Sequence, residues 1–142
     1  MTIQTTTASI FGIAFFVAVP TLADCPLNST FVDSAQILGD GSAGLMAVGD
    51  VDGDGDADVV IPNRAVSFGD TVPNEIWLNA GNGTFYDSGQ RLGDKSTSRA
   101  MLEDFNGDGH LDIYFMDGGT GWPPPPHTIW MNDGTGTFTP GD

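Results

Sequence analysis

Apolar and polar residues alternate along most of this chain in short runs, and clusters of Gly, Asp, Asn and Pro separate the runs. A period of two over four to eight residues is typical of strands with one buried face, and the separating residues are typical of turns. The pattern predicts short strands at 31–38, 44–48, 58–61, 75–79, 85–92, 98–102, 112–116 and 128–132. We therefore expect an all-β fold.

Two copies of one unit make up the body of the chain. NSTFVDSAQILGD at 28–40 returns as NGTFYDSGQRLGD at 82–94, with nine of thirteen positions identical at an offset of 54. NEIWLNAGNGTF at 74–85 returns as HTIWMNDGTGTF at 127–138 at an offset of 53. Such self-similarity is the signature of repeat architectures. We therefore divide the chain into an apolar N-terminal segment, 1–27; repeat one, 28–81; repeat two, 82–135; and the start of a third unit or a C-terminal tail, 136–142.

Each repeat contains an acidic loop, GDVDGDGDADVV at 49–60 and EDFNGDGHLDIY at 103–114. We number 50–58 (loop one) and 104–112 (loop two) as positions one to nine. Both loops have oxygen-bearing side chains at positions one, three, five and nine and glycine at position six. Calcium takes six to eight oxygen ligands, and a tight loop with an oxygen at every second residue wraps them around one point. We therefore predict a calcium site in each loop, two in all, with side-chain ligands Asp50, Asp52, Asp54, Asp58 and Asp104, Asn106, Asp108, Asp112.

Position seven holds Asp56 in loop one and His110 in loop two. The residue at position seven of an EF-hand contributes its backbone carbonyl, so we expect both residues to act through their carbonyls. The EF-hand itself is excluded, because position twelve needs a bidentate Glu and holds Ile61 and Phe115, with strand-like residues in place of the following helix. Magnesium is disfavoured, because it demands a near-ideal octahedron and retains its waters.

The stretch DFNGDGHLDI at 104–113 resembles the signature of the FG-GAP or VCBS repeat family, which includes the integrin α-subunit propeller. The resemblance covers about 28–138 and implies four-stranded propeller-like blades with calcium in a loop between two strands. A closed propeller takes four to eight blades, so two repeats imply an open arrangement within one chain. The metal ligands that the resemblance implies are Asp50, Asp52, Asp54, Asp56, Asp58, Asp104, Asn106, Asp108, His110 and Asp112.

The charge of the chain is strongly negative, −15, from 19 acidic and four basic residues. Eight of the 19 lie in the two loops, so two divalent cations would remove four units of charge and reduce self-repulsion. Nucleic acid is excluded as a partner, because phosphate binding needs clustered Lys and Arg. The sequence contains no recognisable nucleophile–base arrangement or Gly-rich phosphate loop, so we expect that the protein is not an enzyme.

The apolar run Ile10–Val19 is too short for a membrane helix, which needs about 20 residues, so we expect no transmembrane span. Two interpretations stay open. The run is the core of a secretory signal peptide cleaved near Ala23, although no Lys or Arg precedes it; or it is a retained strand with large apolar groups on one face. Cys25 cannot form an internal disulfide, and Asp24 stands where a lipoprotein anchor site needs a small residue.

Asn28-Ser29-Thr30 and Asn82-Gly83-Thr84 match the acceptor pattern for N-glycosylation, at equivalent places in the two repeats. Ordinary turns at Asn28 and Asn82 are the other interpretation. We expect an extracellular or cell-surface location.

Two blades leave open strand edges and uncovered apolar faces, which invite pairing with another chain. A retained N-terminal strand could add to the sheet edge of a neighbour. We therefore expect a calcium-stabilised structural protein that self-assembles by β-strand exchange through this strand into a homo-oligomer or filament. The alternative is a cell-surface or carbohydrate-binding adhesion module, with glycans or cell-surface proteins as partners, from a larger β-propeller.

Overall fold

The computed structural model describes residues 33–39, 42–67, 70, 72–118 and 126–141. The chain divides into two compact units, Met1–Asp33 and Ser34–Asp142, and the fold below is that of the second. Its described residues contain strands and no helix, which confirms the all-β class. The strands are β1 (Ser42–Ala43), β2 (Ala47–Gly49), β3 (Asp58–Ile61), β4 (Asn63–Arg64), β5 (Asn74–Asn79), β6 (Phe85–Leu92), β7 (Thr97–Glu103), β8 (Asp112–Asp117), β9 (Thr128–Asn132) and β10 (Phe138–Pro140).

Two four-stranded antiparallel sheets with the same strand order form the body of this unit. Sheet one has the order β2-β3-β5-β6, and sheet two has the order β7-β8-β9-β10. Each sheet is an up-and-down meander, since its strands follow the chain. Strands β1 and β4 form a separate two-stranded sheet. None of these sheets closes into a barrel, and this open, blade-like architecture is the one that the resemblance implied.

The sheets group the strands differently from our prediction. We placed the strand at 85–92 at the start of repeat two, but it is β6, the fourth strand of sheet one. The equivalent strand predicted at 31–38 was wrong over its described part, because residues 33–38 form no strand. A strand needs a hydrogen-bonded neighbour, and alternation along the sequence does not reveal which neighbour it has. Each four-stranded sheet therefore begins one strand later along the chain than the sequence repeat that we defined.

One apolar core lies between the two sheets. Val60 stands opposite Ile76 in sheet one, and these side chains share the surface that we call face A. We call the opposite surface of each sheet face B. In sheet one face B carries Val59, and in sheet two it carries the equivalent residue Ile113, which stands opposite Trp130. Face A of sheet one packs on face B of sheet two, and each side chain fully buried there contributes about 1.5–3 kcal/mol. The buried core residues are Val51, Val60, Ile76, Leu92, Ala100, Ile113, Phe115 and Phe138.

Backbone hydrogen bonds join Leu45, two residues before β2 of sheet one, to β7, the first strand of sheet two. The Leu45 N–H donates to Ser98 O at 2.9 Å, and the Ala100 N–H donates to Leu45 O at 3.0 Å, in a parallel bridge. The chain approaches so closely that a Cβ on Gly44 would lie 2.5 Å from Ser98 O. Glycine at this position is therefore required by the contact between the sheets.

We expect Gly44→Ala to lower the free energy of unfolding by about 1–3 kcal/mol, the usual cost of forcing extra volume into a packed site. The matched control is Gly118→Ala, because a Cβ at Gly118 would have no atom within 4 Å. Urea denaturation of both variants in calcium tests this, and equal stability of the two would contradict the contact.

Candidate metal centre

Both acidic loops join the first strand of a sheet to its second strand. Loop one connects β2 to β3, and loop two connects β7 to β8. At positions four and six the backbone is left-handed, with φ of 79° and 94° at Gly53 and Gly55 and of 79° and 91° at Gly107 and Gly109. Glycine adopts this conformation without steric cost, so the glycines let each loop turn sharply.

The carboxylate at position one organises each loop. Asp50 accepts the Gly53 N–H through Oδ1 at 2.8 Å and the Gly55 N–H through Oδ2 at 2.9 Å. Asp104 accepts the N–H groups of positions four and six in the same way, at 2.7 and 2.9 Å. The side chain at position three accepts the N–H of position five in both loops, at 3.2 and 2.9 Å. The two loops therefore share one hydrogen-bonding pattern.

Loop one gathers three of its predicted ligands around one point. One carboxylate oxygen from each of Asp50, Asp52 and Asp58 lies within 4.8 Å of the others, and Asp54 and Asp56 lie outside this cluster. Oxygens that bind one calcium ion at 2.3–2.6 Å lie within about 5 Å of each other, so the cluster fits this cation. Loop two has Asn106 at position three and His110 at position seven, so it offers an amide oxygen at position three and has two carboxylates fewer than loop one.

The carboxylate at position nine has a structural role that the sequence did not predict. Asp58 is fully buried and accepts the Val51 N–H at 2.9 Å and the Asn79 N–H at 2.8 Å. Asp112 accepts the equivalent pair of N–H groups at 3.0 and 2.8 Å. Position nine thus ties the start of the loop to the end of the third strand of its sheet, and each oxygen keeps a second lone pair for a cation.

The side chains at position seven pack against the hairpin of their own sheet. A Cβ on Gly81, in the β5–β6 turn, would lie 2.7 Å from Asp56 Oδ2. A Cβ on Gly134, in the β9–β10 turn, would lie 2.6 Å from the ring of His110. Coordination through the position-seven carbonyls stays a prediction.

The electrostatics of the two loops differ at the carboxylates. Burial raises the pKa of Asp52, and the charges of Asp58 and its other neighbours in loop one raise it further. In loop two, the backbone N–H of His110 and then the Asn106 amide lower the pKa of Asp108. Loop one therefore contains more unrelieved negative charge, which a cation would neutralise.

An asparagine that the sequence analysis missed joins both loops. Asn132, at the end of β9, donates from Nδ2 to Leu111 O at 3.0 Å and to Val51 O at 2.7 Å. One bond holds loop two within its own sheet, and the other reaches loop one of sheet one. The signal was present in the sequence, because Asn79 and Asn132 are equivalent positions of the matched segments.

Of the two predicted glycosylation acceptors, one lies within the described residues. Asn82 is exposed in the β5–β6 turn, where its Oδ1 accepts the Thr84 N–H at 2.9 Å. Asn28 and the run Ile10–Val19 lie outside the described residues.

Comparison with known proteins places the second acidic loop in a family repeat. Within the described part of the chain, no helix has the length and apolar character needed to cross a membrane. No curated protein and no solved structure matches the chain. Residues 65–115 match the family model of the FG-GAP-like repeat, a span that includes β5, β6, β7 and loop two. This chain therefore contains an FG-GAP-like repeat at residues 65–115, the family that the stretch at 104–113 indicated.

Proposed function

We propose that this chain is an extracellular structural protein whose blades are stiffened by calcium and which self-assembles with further copies. The observation that supports this function is the place of loop one between the sheets. Its Val51 carbonyl accepts a buried hydrogen bond from Asn132, and Asp52 Cβ lies 3.0 Å from the position of a Cβ on Gly136. An ion in loop one would therefore stiffen the contact between two blades.

Each loop supplies a set of oxygens that suits calcium. In loop one the clustered Asp50, Asp52 and Asp58 would hold the ion, with the remaining predicted ligands completing the shell. Loop two would use the equivalent positions, with the Asn106 oxygen in place of a carboxylate. Extracellular calcium modules bind with Kd of about 10⁻⁴ to 10⁻³ M, and an affinity in this range would keep the loops filled outside the cell.

Uncovered apolar side chains support association with further copies. Val48 on face B of sheet one is exposed, and so are Met101 on face A of sheet two and Phe105 in loop two. Val48 and Met101 lie on the two opposite outer faces of the pair of sheets, so each outer face presents an uncovered apolar side chain where a further copy could pack. The exposure of Asn82 agrees with an extracellular glycosylation acceptor, and we extend this proposal to Asn28.

Removal of calcium should lower the stability of the parent chain, and Asp52→Ala should have opposite effects with and without the ion. In 10 mM calcium we expect the variant to lose about 1.4–2.7 kcal/mol, the linkage energy of one site at 10–100 times its Kd. In EDTA we expect it to match or exceed the parent in stability, because the substitution removes one of the mutually repelling carboxylates of loop one.

The measurement is thermal unfolding in calcium and in EDTA, with Asp94→Ala as the matched control. Asp94 is exposed and lies outside both loops, so its removal changes the net charge by the same amount. Identical melting of the parent in the two buffers would contradict the calcium sites.

Calcium should leave loop one at a higher pH than loop two. The raised pKa of Asp52 means that this carboxyl takes up a proton at a higher pH than an ordinary Asp, and the lowered pKa of Asp108 means the reverse. Protons compete with the ion for the same oxygens. Calorimetric titration between pH 7 and pH 4 would use Asp108→Ala to isolate loop one and Asp52→Ala to isolate loop two. If the calcium affinities of the two loops fall in parallel as the pH is lowered, the proposed difference between the loops is wrong.

Self-assembly should depend on the same ion. We expect light scattering after gel filtration to give a mass of several chains in calcium and a lower mass in EDTA, because loop two contains Phe105, one of the exposed apolar side chains proposed for association. A single chain at 100 μM protein in calcium would rule out the proposed function.

A further inference from the structure

Three buried hydrogen bonds in series join the two predicted calcium sites. Asp112, at position nine of loop two, accepts the Asn132 N–H at 2.8 Å. Asn132 donates from Nδ2 to the carbonyl of Val51, at position two of loop one, at 2.7 Å. The Val51 N–H donates to Asp58, at position nine of loop one, at 2.9 Å. Two predicted calcium ligands, one in each loop, are therefore connected through Asn132 and Val51.

The amide of Asn132 serves both loops in a single orientation. A primary amide has two N–H donors and two acceptor lone pairs. Oδ1 accepts the N–H groups of Gly134 and Gly136 in the β9–β10 turn. Nδ2 donates to the carbonyls of Leu111 in loop two and Val51 in loop one. A rotated amide would bring like groups together on both sides, so the bonds to the two loops form together.

The β9–β10 turn also touches both loops. A Cβ on Gly134 would lie 2.6 Å from the ring of His110 in loop two. A Cβ on Gly136 would lie 3.0 Å from Asp52 Cβ in loop one. The turn therefore fits closely against each loop, and a change in one loop is transmitted to a segment that the other loop contacts.

A glutamine of sheet one keeps this turn in place independently of Asn132. Gln90 on β6 donates from Nε2 to Gly136 O at 2.6 Å and accepts the Phe138 N–H through Oε1 at 2.9 Å. Phe138 begins β10 and belongs to the buried core. The stacking of the turn on sheet one therefore has bonds of its own, and the side chain of Asn132 acts mainly on the loops.

We propose that calcium binding in the two loops is positively coupled through Asn132, so that filling either loop raises the affinity of the other. When loop two is filled, its Asp112 carboxylate and Leu111 carbonyl are fixed and hold Asn132 in place. The donor to the Val51 carbonyl is then already positioned before loop one is ordered. Loop one loses less conformational entropy on binding, which raises its affinity. This inference rests on the calcium sites of the proposed function and states how they are regulated.

The coupling is the same in both directions, as thermodynamic linkage requires. Charge acts against it, because a filled loop two has lost part of the negative charge that attracts a cation to loop one. At 0.15 M ionic strength the Debye length is about 8 Å, so salt screens this opposing effect. The hydrogen bonds through Asn132 are buried and much less affected by salt. The net coupling at physiological ionic strength is therefore positive.

The equivalent asparagine of sheet one provides a matched control. Asn79 Oδ1 accepts the Gly81 and Gly83 N–H groups at 3.1 and 3.2 Å, and its Nδ2 donates to Ala57 O at 3.2 Å. These bonds hold loop one and the β5–β6 turn within sheet one. Among the described residues, the Asn79 side chain bonds no carbonyl of sheet two. Replacement of Asn79 therefore removes the same local bonds as replacement of Asn132, without the bond between the sheets.

Urea unfolding in EDTA and in 10 mM calcium measures the coupling in the parent chain. Asp108→Ala leaves loop one as the working site, and Asp52→Ala leaves loop two while keeping the Cβ that contacts the turn. A single site stabilises the folded chain by RT ln(1 + [Ca²⁺]/Kd). We expect the stabilisation of the parent to exceed the sum for the two variants by about 1–3 kcal/mol, a coupling of about five- to 150-fold. Tenfold dilution of the protein should leave this excess unchanged, because the coupling lies within one chain.

The same comparison in Asn132→Ala and Asn79→Ala backgrounds tests the role of the asparagine. Each stabilisation is a difference between calcium and EDTA for one variant, so a loss of basal stability cancels. We expect the excess to disappear in Asn132→Ala and to remain in Asn79→Ala. The parent comparison needs no substitution at Asn132, so it decides on the coupling even where Asn132→Ala does not fold.

The outcomes separate this inference from the proposed function. Additive stabilisation by the two loops in the parent would overturn the coupling and leave the calcium sites standing. An excess that falls with dilution would assign the coupling to association between copies and overturn it within the chain. Equal coupling in Asn132→Ala and Asn79→Ala would overturn the role of Asn132. A parent chain that calcium does not stabilise would overturn both the coupling and the proposed calcium sites.

Discussion

Two carboxylates without solvent exposure, Asp58 and Asp112, fix the geometry on which the rest of the structure depends. A buried charge is costly unless hydrogen bonds or an opposite charge compensate it. Each of these groups accepts two backbone N–H groups, one from the start of its loop and one from the end of the third strand. The acidic loop is thereby held closed against its sheet. In loop one the carboxylates of Asp50 and Asp52 then converge with that of Asp58, and a cation bound there would neutralise their mutual repulsion.

The loops and the stacking of the sheets are parts of one network. Asn132 shapes the last turn through Oδ1, which accepts the Gly134 N–H at 3.0 Å and the Gly136 N–H at 3.2 Å. Through Nδ2 it holds loop two in place and bonds loop one across the sheets. A change in the conformation of loop one therefore affects the β9–β10 hairpin of sheet two. Stability in a repeat protein is a sum of the stabilities of the single repeats and of the contacts between neighbours, and an ion bound in loop one would contribute to both.

The sequence predicted the elements of this fold better than their grouping. Alternation located β3 and β5, and the spacing of oxygens in loop one located Asp50, Asp52 and Asp58 near one point, because these signals are local. The fourth strand was assigned to the wrong neighbour, because a repeat in sequence has a period but no defined starting point. Gln90 lay in the most similar stretch of the two repeats, yet its bonds span 46 and 48 residues, and no local pattern indicates a partner so distant.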